Sequence, residues 1–202
     1  MTFEPTCKTP LETFEWDSFW LEHTENTTAP RVLYIGDSIS KGTYPLANKL
    51  AGGRLLFDNF ATSKGLDNPY YRSSILTAAE QQGHRELVFF NNGLHGWHLD
   101  DETEFLPLLR DTMLFLQQSF AGTPVVMLPT TYIEREGIAA RAKRRTDLAR
   151  ALAKEMSFPL LDLYEVTYQN RHLLRDGVHF HTEGYQNIAS FLVENAMKIL
   201  EM

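Results

Sequence analysis

Short apolar runs alternate with longer helical patterns from Arg31 to the end of the chain, and this alternation limits the fold more than any other feature. The apolar runs are RVLYIG (31–36), RLLFD (54–58), ELVFF (86–90), PVVMLP (124–129) and PLLDLY (159–164). Most are nearly continuously apolar, which is typical of strands covered on both faces. The helical patterns cover about 70–82, 101–120, 138–156 and 183–200, with Thr182 as a good N-cap for the last one. Five β/α units in succession predict an α/β fold, in which helices cover both faces of a five-stranded parallel sheet.

The composition indicates a soluble globular chain with one large core. Its 202 residues correspond to a little over one domain, and 43% of them are hydrophobic and 22% charged. The formal net charge of −7 gives no general attraction for phosphate backbones, which argues against nucleic-acid binding. The single cysteine, Cys7, cannot form an internal disulfide or a thiolate metal cluster. Because no secretory signal and no membrane-spanning run is visible, we expect a soluble cytoplasmic protein.

The first thirty residues differ from the rest because they contain no strand-like run. Their apolar residues include Phe14, Trp16, Phe19, Trp20 and Leu21. A short helix from about Thr13 to His23 would place many of these on one face, and TENTTAP, closed by Pro30, predicts a linker. We therefore expect an N-terminal arm over 1–30 that packs on a domain over 31–202. A lid or a dimer contact is the alternative role for the arm.

In parallel α/β sheets, functional sites lie beyond the carboxyl ends of the strands. The first predicted strand runs directly into Gly36, Asp37 and Ser38. A serine on this turn, near the start of the next helix, is well placed for a nucleophile because nearby backbone N–H groups can stabilise an oxyanion. The segment is not the G-x-S-x-G elbow, since Ser40 stands where the second glycine would be. An ordinary turn is the alternative interpretation.

A base for that serine is available near the other end of the chain, in DGVH (176–179). Asp176 and His179 are three residues apart on a presumed loop before the last helix. A tight turn at Gly177 would bring the Asp176 carboxylate to Nδ1 of His179 and leave Nε2 to face a hydroxyl. The alternative is an aspartate that caps a turn beside a surface histidine.

The loops after the second and third predicted strands also carry polar residues. The third strand ends in Asn91 and Asn92, and an asparagine amide that points into the site can donate to an oxyanion. A turn that uses asparagine and glycine for their backbone tolerance is the alternative. The small and polar residues after the second strand suit a loop that offers backbone N–H groups.

Together these segments resemble the SGNH (GDSL-type) hydrolases. The resemblance rests on GDS (36–38), ATSKG (61–65), NNGLHGW (91–97) and DGVH (176–179), which occur in the order of the family and at the expected places in the β/α pattern. It spans residues 31 to about 190. It implies a flavodoxin-like three-layer αβα sandwich and a serine esterase that needs no cofactor.

The resemblance also implies roles for individual residues. Ser38 is the nucleophile, His179 is the general base and later the acid, and Asp176 holds the imidazole in the required tautomer. The oxyanion hole combines the Ser38 N–H, an N–H of the second loop and an asparagine side chain after the third strand. Two departures affect this last set. Lys64 stands where the family usually has glycine, which leaves Ser63, Lys64 and Gly65 as candidate amides. No glycine stands two residues before either asparagine, and the Asn-Asp-Gly-Leu variant of the motif favours Asn91 over Asn92.

The substrate is predicted only by class, a small-molecule carboxylic ester. The short chain, without a large inserted cap, favours a small acyl group such as acetyl, for example on a carbohydrate. Lipid or thioester hydrolysis and acyl transfer use the same residues and stay open, as does the oligomeric state. A metal-dependent phosphoesterase that uses Asp37 and the histidines is a rival, and an inactive binding module is another.

Other conspicuous residues have plainer interpretations. The histidines at 95, 98, 179 and 181 could bind zinc, but no carboxylate cluster or thiolate completes a ligand set. The run RAKRR (141–145) predicts a solvated helix face. Trp97, Tyr132 and Phe180 could line an acyl or sugar pocket, and packing in the core is the alternative.

Overall fold

The computed structural model describes residues 14–202, which form a five-stranded sheet between two layers of helices. The strands are β1 (Asp17–Trp20), β2 (Arg31–Gly36), β3 (Leu56–Thr62), β4 (Leu87–Phe90) and β5 (Val125–Met127). The helices are α1 (Ser38–Ala51), α2 (Tyr71–Glu80), α3 (Leu106–Ser119), α4 (Ala139–Met156), α5 (Leu163–Gln169) and α6 (Thr182–Ile199). A π-helical turn (Asp101–Phe105) leads into α3, and a 3₁₀ turn (Arg171–Leu173) follows α5. None of the helices within 14–202 is both long and apolar enough to cross a bilayer.

The sheet confirms the predicted α/β fold. The strand order is β1-β3-β2-β4-β5, in which β3, β2, β4 and β5 are parallel and β1 pairs with β3 in the antiparallel direction. Without the edge strand β1, the order of the parallel strands along the chain is 2-1-3-4, the start of the flavodoxin-like order. The central strand β2 therefore ends in the middle of the carboxyl edge, where ligands bind in such sheets.

The continuous apolar runs are explained by burial on both faces of the sheet. Every residue of β2 is buried. Its side chains alternate, so that Val32 and Tyr34 pack in the core beneath α1 and α6, while Leu33 and Ile35 pack in the core beneath α2, α3 and α4. A strand of this kind needs apolar residues at every position, as the sequence pattern indicated.

A buried ion pair joins β2 to β3. Arg31 donates from Nε to Asp58 Oδ2 at 3.0 Å and from Nη2 to Asp58 Oδ1 at 2.7 Å, and the two side chains are 0% and 1% exposed. Arg31 also donates to the carbonyls of Glu22, His23 and Asn26, and Asp58 accepts the Glu22 N–H. The pair therefore anchors the connection between β1 and β2 to the sheet.

The predicted helix from about Thr13 to His23 is wrong over the described residues, because 17–20 form strand β1. Thr13, where the helix was expected to begin, and the single cysteine, Cys7, lie outside the described residues. The aromatic residues that suggested one helical face are divided between the two faces of a strand. Phe19 packs with the α2 side of the core, while Trp20 lies beside Tyr44 of α1 with ring centroids 6.1 Å apart. Residues 17–20 form a strand and not a helix because they pair with the edge of β3. The sequence near β1 does not reveal that pairing.

The predicted strand at 159–164 is also wrong in extent. Only Leu160 forms a bridge, to Met127 at the end of β5, before Asp162 caps α5 by accepting the Glu165 N–H. The fifth strand of the sheet is therefore β1. In α6, Thr182 is the first helical residue and not the N-cap, a position that His181 occupies.

Candidate active site

Ser38 lies where the central strand β2 meets α1. The chain leaves β2 at Gly36, and Asp37 caps the helix by accepting the Ile39 N–H at 2.8 Å. Ser38 is the first residue of α1, so its N–H belongs to the helical turn whose N–H groups lack acceptors within the helix. The positive end of the helix dipole acts at the same point. This environment suits a hydroxyl next to which negative charge develops.

The structure brings Ser38 and His179 into contact across 141 residues of sequence. Ser38 Oγ lies 2.9 Å from Nε2 of His179, and Nδ1 of His179 lies 3.0 Å from Oδ2 of Asp176. Gly177 makes the turn between the last two residues with φ +81°, and an added Cβ would lie 3.1 Å from the Arg135 nitrogen. The positive φ favours glycine at this position, and the close approach of Arg135 adds to that preference. The three side chains form a continuous chain of hydrogen bonds.

The turn also keeps Asp176 ionised. The backbone N–H of His179 donates to Asp176 Oδ1 at 2.8 Å and that of Val178 at 3.1 Å. The hydrogen bond from the His179 backbone has the largest effect on this carboxyl group. Together with the Val178 N–H and the imidazole, it holds the pKa of Asp176 well below its usual range. A carboxylate at Nδ1 keeps the proton on that nitrogen, which leaves Nε2 able to accept the Ser38 proton.

Asp37 is a buried carboxyl group directly beside Ser38, and only one of its oxygens is used. Oδ1 caps α1, whereas Oδ2 has no hydrogen-bond partner among residues 14–202. Burial raises the pKa of Asp37, although His95 and His179 act in the opposite direction. Over the same residues, no three His, Cys, Asp or Glu side chains are grouped so that they could hold a metal ion.

Replacing Asp37 with asparagine should change how stability depends on pH. Asparagine keeps the capping oxygen. The folded-state pKa of Asp37 is raised, so its carboxyl group binds a proton more tightly in the folded protein than in the unfolded chain. The resulting contribution to the free energy of unfolding is complete below the unfolded-state pKa of about 3.9. It is lost as pH rises through the folded-state pKa. We subtract the free energy of unfolding of the parent protein from that of Asp37→Asn. We expect this difference to increase from about pH 4 upward, by at most about 1.4 kcal/mol per pH unit. Urea unfolding across this range measures the difference. A difference that is independent of pH would contradict the assignment.

The loop after β3 has three candidate amides for an oxyanion, and two of them are already occupied. The Ser63 N–H donates to the Trp16 carbonyl at 3.1 Å, and the Lys64 N–H donates to the Thr62 hydroxyl at 3.1 Å. The Gly65 N–H donates to no acceptor within the described part of the chain. The amide of Lys64, the position predicted from the motif, thus already has an acceptor, and that of Gly65 has none among residues 14–202.

The two asparagines after β4 point to opposite sides of the sheet. Asn91 continues the β-ladder by donating its N–H to the Ile35 carbonyl, so its side chain lies on the same face as Phe89, the α1 and α6 face that carries Ser38. Its Nδ2 donates to the Leu128 carbonyl at 2.9 Å and has a second hydrogen for another acceptor. Asn92 instead donates to the Lys64 carbonyl at 3.1 Å. The geometry favours Asn91 as a donor within the site.

A buried arginine supports the loop that follows these asparagines. Arg145 of α4 is 1% exposed, and it donates to the carbonyls of His95 at 2.6 Å and Gly96 at 2.8 Å. Its Nε donates to Asp101 at 2.9 Å, and its guanidinium lies 4.2 Å from the centre of the Phe105 ring. This role is not anticipated from the sequence, because the run RAKRR (141–145) predicts a solvated helix face.

The predicted solvated face of RAKRR is right for Lys143 and Arg144, whose side chains are 62% and 59% exposed, and wrong for Arg145. A signal was present in the spacing. The buried residues of α4 include Ala142, Arg145, Ala149 and Leu152, which recur every three or four positions. An arginine on the buried stripe of a helix indicates an internal partner, here the carbonyls of the β4 loop.

The remaining histidines have different surroundings, and His95 acts on the buried carboxyl group of Asp37. His98 lies 2.7 Å from Asp67, and His181 is exposed. The His95 ring contacts Trp16 and Trp97, with centroids 6.4 Å away in both cases.

The aromatic residues singled out in the sequence have different surroundings. Phe180 is 2% exposed and packs in the core, whereas Trp97 and Tyr132 are half-buried. The ring of Tyr132 contacts the rings of Tyr164 and Tyr168 edge-on.

Comparison with known proteins identifies the fold. No protein-family model and no curated protein sequence matches the chain. A lipolytic G-D-S-L family protein from Veillonella parvula matches with a TM-score of 0.68 at 16% identity, over 82% of this chain and 97% of that one. The aryl esterase of M. smegmatis matches with a TM-score of 0.67 at 14% identity, over 84% and 99%. A carbohydrate acetylesterase from Sinorhizobium meliloti matches with a TM-score of 0.64 at 13% identity, also over 84% and 99%. With its order of strands and the position of Ser38 at the end of the central one, the chain has the fold of the GDSL (SGNH) lipases and esterases.

Proposed function

We propose that this protein is a serine esterase that hydrolyses a carboxylic ester through an acyl-enzyme intermediate. The observation that carries the proposal is the 2.9 Å contact between Ser38 Oγ and His179 Nε2, with Asp176 3.0 Å from Nδ1 of the same ring. A hydroxyl, an imidazole and a carboxylate in this order are the arrangement in which a serine is activated as a nucleophile. The same contacts would serve acyl transfer to another alcohol.

In the proposed reaction, His179 Nε2 takes the proton of Ser38 as Oγ attacks the ester carbonyl. The tetrahedral intermediate collapses when the protonated imidazole gives that proton to the leaving alcohol. Water then attacks the acyl-enzyme by the reverse sequence of proton transfers, and the acid product leaves. Asp176, kept ionised by its backbone donors, stabilises the imidazolium that forms in both halves of the reaction.

We assign the oxyanion hole to the N–H groups of Ser38 and Gly65 and to the second Nδ2 hydrogen of Asn91. The Gly65 N–H replaces that of Lys64, because the latter already donates to Thr62. Donors of this kind stabilise the charge that develops on the carbonyl oxygen, and removal of one typically costs about 3–4 kcal/mol in the transition state.

The proposed substrate is a small-molecule ester with a short acyl group. Two structural neighbours are described as an acetyl xylan esterase and a carbohydrate acetylesterase, which supports an acetyl ester of a carbohydrate as the first candidate. Long-chain lipid esters and thioesters are the alternatives that share the mechanism. A panel of p-nitrophenyl esters separates acetate from longer acyl chains.

Reaction with a fluorophosphonate tests the nucleophile directly. Ser38 Oγ is expected to attack phosphorus, with fluoride as the leaving group and the serine proton passing to His179, so that intact mass increases by one phosphonyl group. Ser38→Ala should show no such increase and no ester hydrolysis.

Ser40 provides a matched control, because it is two residues from Ser38 and its hydroxyl donates to the Asp37 carbonyl at 2.8 Å inside α1. Ser40→Ala should be labelled like the parent protein. Equal labelling of the parent and Ser38→Ala would move the nucleophile to another serine. Activity that is lost on treatment with a chelator and insensitive to the fluorophosphonate would favour the metal-dependent phosphoesterase.

A further inference from the structure

We propose that Trp16, in the segment before β1, forms the wall of the site on the acyl side of the substrate and restricts it to short acyl groups. This inference rests on the proposed esterase function and adds a residue outside all four sequence motifs. It gives the N-terminal segment a part in substrate selection.

Trp16 lies among the loops that follow three strands of the sheet. Its backbone pairs with Ser63 after β3, since the Trp16 N–H donates to Ser63 Oγ at 2.8 Å and the Trp16 carbonyl accepts the Ser63 N–H at 3.1 Å. Its indole contacts the His95 ring after β4 edge-on, with centroids 6.4 Å apart. The ammonium of Lys41, three residues after Ser38 on α1, lies 5.5 Å from the centre of the indole. The half-buried indole is thus bordered by segments on both sides of the nucleophile.

Trp16 and His179 belong to segments at opposite edges of the sheet. Trp16 directly precedes β1, which forms one edge. The turn that carries His179 is bound to the segment after β5, at the other edge, where the Glu134 N–H donates to the Gly177 carbonyl at 2.9 Å. Ser38 follows β2 between them, so a substrate at Ser38 extends in two directions.

The chemistry decides which part of the ester points in each direction. The leaving alcohol oxygen must accept a proton from His179 Nε2, so the alcohol lies on the β5 side. The acyl group, attached to the same carbon, then extends away from His179 towards Trp16. An indole in that direction would limit the length of the acyl chain that can be accommodated. Specificity for a short acyl group follows from the position of this ring.

Trp20, the last residue of β1, supplies a matched control four residues further along the same segment. Side chains alternate along a strand, so residues 16 and 20 face the same side, and four residues separate them by about 13 Å. Trp20 lies beside Tyr44 of α1, further from the carboxyl edge, and is 51% exposed. Its removal deletes the same side chain from the same segment without opening the proposed acyl pocket.

The test compares Trp16→Ala, Trp16→Phe and Trp20→Ala with the parent protein. The readouts are kcat/KM for p-nitrophenyl acetate and octanoate, and the rates at which ethyl and octyl fluorophosphonates label Ser38. We expect Trp16→Ala to raise the octyl-to-ethyl and octanoate-to-acetate ratios by about tenfold or more, because a pocket wall discriminates at about this level for each methylene it rejects. Both ratios for Trp16→Phe should lie between those of Trp16→Ala and those of the parent protein. Trp20→Ala should leave both ratios unchanged.

Each outcome decides one of the two proposals. Unchanged ratios in Trp16→Ala and Trp16→Phe, or an equal rise in Trp20→Ala, would overturn the role of Trp16 while leaving the nucleophile in place. A parent protein that neither hydrolyses the esters nor is labelled at Ser38 would overturn the esterase itself, and the Trp16 proposal with it. Trp16→Phe keeps an aromatic ring at this position, so it carries the test if Trp16→Ala does not fold.

Discussion

Replacement of His179 with alanine is expected to lower kcat/KM for p-nitrophenyl acetate by at least about 10⁴-fold, while the protein stays folded. Among residues 14–202, the imidazole is the one group at hydrogen-bond distance from Ser38 Oγ, at 2.9 Å, so without it the hydroxyl attacks with its proton still bound. The loss should appear mainly in kcat, because the imidazole acts on the reacting atoms and contributes little to binding of the ground state.

The neighbouring histidine provides the control for this variant. His181 is two residues further along the same segment, and its side chain is exposed. His181→Ala should keep the activity of the parent protein. A similar loss in both variants would indicate that the segment before α6 was disturbed, and full activity of His179→Ala would place the base elsewhere.

Replacement of Asp58 with alanine is expected to lower the free energy of unfolding by about 3–5 kcal/mol. The change leaves the guanidinium of Arg31, which is 0% exposed, without its carboxylate in the interior. It also removes the acceptor for the Glu22 N–H, so the connection from β1 to β2 loses an anchor. Urea unfolding curves, analysed with the slopes of both proteins, measure the difference.

An exposed pair that is also joined by two hydrogen bonds is the appropriate comparison. Arg110 donates from both terminal nitrogens to Glu155, each at 2.8 Å, but the two side chains are 35% and 60% exposed. Glu155→Ala should cost less than about 1 kcal/mol, because water screens the pair and solvates the remaining charge. Equal losses in the two variants would show that burial of the Arg31–Asp58 pair has no part in its effect.

Strands that are buried on both faces could be identified from the sequence, because such burial leaves a continuous apolar run. The runs at 31–36 and 86–90 are apolar at nearly every position because both faces of the sheet are covered, and they coincide closely with β2 and β4. Asp176 and His179 could be selected because a nucleophilic serine needs a base that a carboxylate orients. Ser38 and Asn91 could be selected for a reason related to burial. Polar residues directly after a buried strand lie at the carboxyl edge, and the order of the strands then brings them together.

Other features depend on contacts between distant segments, which no local pattern records. The aromatic residues at 16, 19 and 20 fit a helix as well as a strand, and the free edge of β3 selects the strand. The choice among the amides of Ser63, Lys64 and Gly65 depends on which of them already has an acceptor, and Trp16 supplies one of those acceptors. Arg145 was misread because its partners are backbone carbonyls of another loop, which have no sequence signature.

The four residues of β1 also protect the protein from self-association. Without them, β3 would present seven residues of unpaired backbone N–H and C=O groups at the border of the sheet, a template on which a second chain can add a strand. The new border has four residues in place of seven, so it offers fewer unpaired groups for such growth towards fibrils. A chain reduced to the predicted domain over 31–202 would lack β1 and should therefore aggregate more readily.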